Sequence, residues 1–165
     1  AHKLLTDLYS KNYIRGDRKY NNKGIFKLTE DDRKPANRDI ETYRGKICTK
    51  DTKRCDFDNG PNYYTPPCCA SYLTELLFYL HDLFAKQNIL YFIYFGTLLG
   101  AVRHNGLVPW DTDVDIYISK KNKSKLLQLK PIIEKKTHYI LDTTGLFRLN
   151  YSKTNTQHVD IFLYD

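Results

Sequence analysis

The chain is 165 residues long, with 26 Lys and Arg against 19 Asp and Glu, a net charge of +7, four cysteines and no methionine. That length supports one domain with a sizeable core. No apolar run is long enough to cross a bilayer, and no signal-peptide pattern occurs. The positive charge raises nucleic acid as a partner, but the basic residues are scattered. The run from Lys120-Lys121 to Lys125 lies among polar residues and reads as a solvated face, so no nucleic acid is expected. A positive surface suits a nucleotide donor or a phosphorylated acceptor equally well. Without Met even at its start, the chain reads as a processed or excised piece, and any membrane anchor is expected outside it.

Residues 1–44 are polar and charged, with turn signals at Arg15-Gly16-Asp17, Asn21-Asn22-Lys23-Gly24 and Lys34-Pro35. Only Ile25-Phe26-Lys27-Leu28 suggests a short strand there, and the segment reads as a stem or an irregular edge. From Cys48 to Cys69 the chain is loop-like. A helix is predicted from about Pro67 to Gln87, because Leu73, Leu76, Leu77, Leu80, Leu83 and Phe84 recur at three- and four-residue spacing. Asn88 ends it. Leu90 to Phe95 is a continuous apolar run that fits a buried strand, and Thr97 to His104 reads as a short helix. Thr112 to Ser119 is a strand carrying carboxylates. Lys123 to Lys136 is a second amphipathic helix, expected to be interrupted near Pro131. Three short strands follow, at His138 to Leu141, Leu146 to Tyr151 and His158 to Tyr164. This order argues for an α+β fold, a mixed sheet with helices on one side.

The carboxylate strand carries the chemistry. Successive side chains on a strand alternate faces, so Asp113 and Asp115 project together while Val114 and Ile116 face the core. Two adjacent carboxylates repel unless a cation sits between them, and such a pair is how proteins hold a divalent ion for phosphate chemistry. Asp160, between Val159 and Ile161, is the expected third ligand, since a carboxylate among apolar neighbours asks for a cation. Asp111 has the spacing for the same face, or it caps the turn after Pro109 and Trp110. An EF-hand reading fails, because Ile116 and Asn122 stand where Gly and Glu are needed. Gly96 and Thr97 open a helix whose backbone N–H groups and hydroxyl could receive a phosphate, or they form an ordinary cap. Arg103 follows one or two turns later and could grip a phosphate from two sides. His104 is a base, a phosphate donor or a turn residue. Trp110 packs under the loop or stacks on a base or sugar, and His158 beside Asp160 is a candidate for substrate contact.

The four cysteines have two main readings beside free thiols. Cys48 and Cys55 could each bridge to the adjacent pair Cys68-Cys69, or all four could hold one tetrahedral zinc that closes the loop.

The stretch from Phe95 to Asp115, with Gly96-Thr97-Leu98-Leu99-Gly100, Arg103-His104 and Pro109-Trp110-Asp111 leading into Asp113 and Asp115, resembles the signature of the LicD family of phosphotransferases, which includes the fukutin and fukutin-related proteins. Further similarity lies in Phe147-Arg148-Leu149-Asn150-Tyr151-Ser152, in His158-Val159-Asp160-Ile161-Phe162 and in Pro66-Pro67-Cys68-Cys69. The resemblance covers residues 45–165. It implies a nucleotidyltransferase fold of the polymerase-β-like kind, with Mg²⁺ or Mn²⁺ on Asp113, Asp115 and Asp160. It also implies transfer of a phospho-alcohol, such as phosphoribitol or phosphocholine, from a CDP-linked donor to a glycan or glycoprotein, in the Golgi or another secretory-pathway lumen. Fukutin-related members carry a similar cysteine arrangement associated with zinc, which implies a structural Zn²⁺ on Cys48, Cys55, Cys68 and Cys69. Catalytic domains of the family continue further, so residues 45–165 are expected to be C-terminally incomplete, with the last strand left as an exposed edge. Two alternatives stand beside this reading: a nucleotidyltransferase on the same fold, and a non-catalytic, zinc-stapled domain that binds a glycan or a partner.

Overall fold

The leucine stripe folds as its spacing dictates, in a helix α1 at Pro67–Lys86 whose Leu73, Leu76, Leu77, Leu80 and Phe84 are buried. The computed structural model describes residues 42–43, 46–47, 49–51, 67–108 and 110–165. The strand expected at Ile25 to Leu28, the turns of residues 1–44 and the side chains of Cys48, Cys55 and Cys68 lie outside the described residues. Asn88 ends α1 from a left-handed backbone (φ 51°), and the Ile89 N–H reaches back to the Phe84 carbonyl at 2.9 Å.

A short antiparallel pair, β1 (Thr42–Tyr43) and β2 (Lys46–Ile47), precedes α1. The main sheet has five strands: β3 (Tyr91–Ile93), β4 (Asp113–Ser119), β5 (Ile140–Asp142), β6 (Phe147–Asn150) and β7 (His158–Tyr164). Their spatial order is β3-β4-β7-β6-β5, with β4 and β7 parallel and the other pairs antiparallel. This is the mixed α+β sheet that the element order implies. One correction concerns β7, which is not an edge: it lies at the centre, hydrogen-bonded on both sides by β4 and β6.

Strand β3 is shorter than the apolar run that contains it. Phe95 takes a left-handed backbone (φ 44°) and already belongs to helix α2 (Phe95–Arg103), so the chain turns out of the sheet two residues earlier than expected. Helix α3 (Lys123–Lys136) follows a 3₁₀ turn at Lys120–Asn122 and runs through Pro131 without interruption. Proline removes one N–H from the helix ladder. Here Leu126, Leu129 and Ile133 bury one continuous stripe across it, and their packing outweighs that loss. Glu134 and Lys130 then tie α3 to β5: Glu134 Oε1 accepts from the Leu141 N–H at 3.2 Å, and Lys130 donates to the Leu141 carbonyl.

One face of the sheet is the core. Val114, Ile116 and Ile118 of β4, Val159 and Ile161 of β7, Leu149 of β6 and Leu141 of β5 are fully buried in one cluster with the stripes of α1 and α3. The opposite face carries the polar and aromatic residues of the same strands. At the far end, Ser152 Oγ donates to the Lys50 carbonyl at 2.5 Å, joining the segment before α1 to the loop after β6.

Cys69 is buried and disulfide-bonded. Of the two readings of the cysteines, this sulfur therefore takes the bridge. A disulfide sulfur carries no thiolate charge to give a metal, so a four-thiolate zinc cannot include Cys69 in this form.

Candidate active site

Register builds the site. In the parallel β4·β7 ladder, Asp113 lies opposite His158 and Asp115 opposite Asp160; in the antiparallel β6·β7 ladder, Arg148 lies opposite Asp160 and Asn150 opposite His158. Directly opposed residues share a face. The apolar alternation that sends Val114, Val159 and Leu149 into the core therefore sends Asp113, Asp115, His158, Asp160 and Arg148 to the other side together.

Ligand atoms from Asp113, His158 and Asp160 lie within 4.8 Å of one another. Two carboxylates and an imidazole converging at that distance form a set that suits a divalent ion. His158 is 2% exposed, and its Nδ1 lies 2.8 Å from the Thr156 carbonyl oxygen. A carbonyl can only accept, so Nδ1 carries the proton and the Nε2 lone pair faces Asp160 Oδ1 at 3.5 Å. That is how a metal-binding histidine is usually oriented, by a hydrogen bond at its other nitrogen. The sequence placed His158 near substrate; the structure places it in the converging group. Its signal was readable, because His158 and Asp160 are two apart on a strand, as Asp113 and Asp115 are.

Asp115 is not one of the three converging ligands, but it stands beside them. Burial pushes its carboxyl up to about 7, with the charges of Asp113, Asp160 and Asp111 adding to the rise. Asp111 is likewise raised to about 6, by burial first and then by Asp113, while Arg103 opposes the shift. The face thus concentrates negative charge that a cation would relieve.

Helix α2 fixes the approach to β4. Where β3 leaves the sheet, the Tyr94 N–H donates to the Asp115 carbonyl at 3.1 Å, and the buried Thr97 Oγ1 accepts the Asp115 N–H at 2.8 Å. The Thr97 hydroxyl therefore completes the ladder at the carboxylate strand and, being fully buried, is not presented to a phosphate. Gly96 is needed for close approach: a Cβ there would lie 2.7 Å from Asp111 Oδ2, so Asp111 seats its carboxylate against the start of α2. Gly100 is tighter still, with a Cβ meeting the Gly106 carbonyl oxygen at 2.4 Å and the Val108 nitrogen at 2.8 Å. That contact holds the loop between α2 and β4 against the helix. At its ends, Arg103 and His104 gather around Trp110: the guanidinium lies 5.8 Å from the indole ring, His104 meets it edge-on at 5.9 Å, and Arg103 Nε donates to His104 Nδ1 at 3.4 Å. Burial and the neighbouring Arg103 hold the His104 imidazole below its ordinary value, so it is neutral near pH 7.

Arg148 was not singled out by the sequence. Its Nε and Nη2 donate to Asp160 Oδ1 and Oδ2 at 2.6 and 3.2 Å. The pairing with Asp160 raises its pKa, and Asp113 and Asp142 add to the rise. Only the cross-strand register reveals it.

Residues 88–165 match the family model described as LicD/FKTN/FKRP, nucleotidyltransferase domain. The chain is 32% identical to ribitol 5-phosphate transferase FKRP of Homo sapiens, over 70% of this chain and 26% of that protein. It is 28% identical to the lipopolysaccharide cholinephosphotransferase LicD of Haemophilus influenzae, over 55% of this chain and 41% of that protein. An uncharacterised protein of Rickettsia prowazekii is 38% identical over 55% of this chain. The chain thus spans about a quarter of the length of the human relative. The matched segment contains Asp111, Asp113, Asp115, Arg148, His158 and Asp160, so the similarity to the LicD/FKTN/FKRP nucleotidyltransferase domain takes in every residue of the converging group.

Proposed function

We propose that the chain is a metal-dependent phosphotransferase that moves a phospho-alcohol, of the phosphoribitol or phosphocholine kind, from a CDP-linked donor to a glycan. The observation that carries this is the convergence of Asp113, His158 and Asp160 on the face of the sheet opposite the apolar core, with Asp115 beside them. The names of the relatives, a ribitol 5-phosphate transferase and a lipopolysaccharide cholinephosphotransferase, support both the reaction and the range of alcohols. The polymerase-β-like character of the sheet belongs to the same proposal, as does a catalytic unit spanning residues 45–165. The bond between Ser152 and the Lys50 carbonyl supports counting the segment before α1 in that unit.

In this reading Asp113, His158 and Asp160 hold Mg²⁺ or Mn²⁺, which when bound neutralises the pyrophosphate and polarises the phosphorus under attack. Asp115, next to the ligands and fixed by Thr97, takes the proton of the acceptor hydroxyl as its oxygen bonds to phosphorus. The bond to the CMP oxygen breaks, and CMP leaves with the electron pair. Arg103, at the loop end near Asp111, contacts a donor phosphate, and Trp110 forms a wall of that pocket. Thr97 acts through Asp115 and Gly96 through Asp111. The disulfide at Cys69 supports a secretory-pathway lumen, since such bonds persist in oxidising compartments. No described helix is long and apolar enough to cross a membrane.

The test is CMP release from a panel of CDP-linked alcohols with Mn²⁺ or Mg²⁺, run beside nucleoside triphosphates and an Asp113→Asn variant. Metal-dependent CMP release that falls at least about 100-fold in the variant is the expected result, the size typical of a lost transition-state contact. Turnover of triphosphates but not of CDP-alcohols would make the chain a nucleotidyltransferase. A folded Asp113→Asn variant within about threefold of wild type would remove Asp113 from the reaction.

A further inference from the structure

Asp160 is 6% exposed and stands among other carboxylates, which makes its ion pair with Arg148 unusual in what it must accomplish. The guanidinium approaches from β6, directly across the ladder, and uses its Nε edge on both carboxylate oxygens. The nearer of the two bonds, 2.6 Å, is to Oδ1, the same oxygen that faces His158 Nε2 at 3.5 Å. Arg148 thus sits on the carboxylate oxygen that points into the group of converging ligands. The side chain itself is 42% exposed, so it has room to swing outward while Asp160 does not. Of its five N–H donors, the two on Asp160 leave three for another partner.

We propose that Arg148 is an exchangeable counter-ion: it neutralises Asp160 in the metal-free protein, yields Oδ1 to the divalent ion, and passes its guanidinium to a phosphate of the bound donor. The inference rests on the proposed metal-dependent transfer. It follows from charge and geometry. A buried carboxylate beside others stays ionised only with a cation against it, and a guanidinium and a divalent ion drawn to one oxygen repel each other. A planar fork displaced by the metal finds its best new partner in the pyrophosphate, whose negative charge arrives with the donor. The metal and the donor then help each other to bind, because the donor gives the displaced arginine somewhere to go.

The experiment measures Mn²⁺ affinity by electron paramagnetic resonance for wild type, Arg148→Gln and Arg148→Lys, with and without CDP as the diphosphate probe. Without CDP, Arg148→Gln should bind Mn²⁺ about tenfold more tightly than wild type, the modest end for removing a unit charge close to a cation near a protein surface. Arg148→Lys, which keeps the charge, should stay within about threefold of wild type, well inside that Coulombic gain. CDP should tighten Mn²⁺ binding more in wild type than in Arg148→Gln. A purely structural arginine would leave Mn²⁺ affinity unchanged or weakened in Arg148→Gln, and that result overturns the proposal. Should Arg148→Gln fail to fold, the Arg148 Nε–H resonance of the wild-type protein decides. It should shift on adding Mg²⁺ and again on adding CDP, and a resonance unmoved at saturating Mg²⁺ refutes the exchange. If wild type binds no Mn²⁺ at all, the proposed function fails and this inference with it; if wild type binds Mn²⁺ and only the Arg148 results disagree, this inference alone fails.

Discussion

Replacing Asp115 by asparagine should stabilise the metal-free protein at pH 8 while it disables transfer. The carboxyl is carried from 3.8 to about 7, chiefly by burial and then by Asp113, Asp160 and Asp111. A raised acid is protonated more tightly in the folded chain than in the unfolded one. Stability therefore falls as pH rises from about 4 to about 7, and the full cost is present above 7. That span corresponds to about 4 kcal/mol, and partial exposure of the side chain to screening water reduces it to about 1–2 kcal/mol. Asparagine keeps the shape and removes the charge. For a chain of this size the gain is about 3–6 °C in melting temperature. The assay is thermal melting of wild type and Asp115→Asn in a chelator, from pH 4.5 to 8.5, repeated with saturating Mg²⁺. The two curves should coincide near pH 4.5 and separate as pH rises. Mg²⁺ should raise wild type more than the variant, whose group of carboxylates has one charge fewer. A variant no more stable than wild type at pH 8 in chelator would refute the reasoning, since the face would then carry no electrostatic strain.

Thr97→Val should leave the Asp115 N–H without its acceptor and cost about 1–3 kcal/mol, read as a lower urea midpoint with reduced CMP release; Thr97→Ser, which keeps the oxygen, should be close to wild type in both. Gly100→Ala should cost about 1–3 kcal/mol, because its Cβ meets backbone atoms that cannot turn aside. Gly145→Ala is the control, since nothing lies within 4 Å of that Cβ, and equal melting temperatures for the two variants would contradict the packing described. Peptide mapping without reductant should recover Cys69 in a disulfide-linked peptide, and metal analysis of the same sample should find well under one zinc per chain. A full equivalent of zinc in the unreduced protein, with Cys69 alkylatable, would restore the four-thiolate site.

What the sequence made legible was whatever depends on one element at a time. The leucine spacing of residues 73–84 is a property of one helix, and the shared face of Asp113 and Asp115 is a property of one strand; both hold in the structure. Pro131 and Phe95 misled because tertiary packing decided against local preference. The buried stripe of α3 carries the helix past its proline, and the chain turns at Phe95 although its aromatic neighbours continue the strand pattern. At Cys69 the sequence left the choice open, since zinc and a bridge place the same demand on spacing and differ only in how two sulfurs meet.

The site itself sits at a level that no single element encodes. Three separate pairs, Asp113 with Asp115, His158 with Asp160, and Arg148 with Asn150, each obey strand alternation, and each says only that its two members share a side. Nothing local says that the three sides are the same one, or that Arg148 rather than Asn150 meets Asp160. Register supplies that, and register is fixed by burial: a slip of one residue between β4 and β7 would turn Val114 or Val159 out of the core and a carboxylate into it. The apolar residues on the far face, which touch no substrate, are therefore what hold two carboxylates, an imidazole and a guanidinium in reach of one another. A substitution such as Val159→Asp should for that reason scatter the converging group by unpairing β7, read as loss of Mn²⁺ binding in a titration, although Val159 lies on the opposite side of the sheet from Asp113, His158 and Asp160.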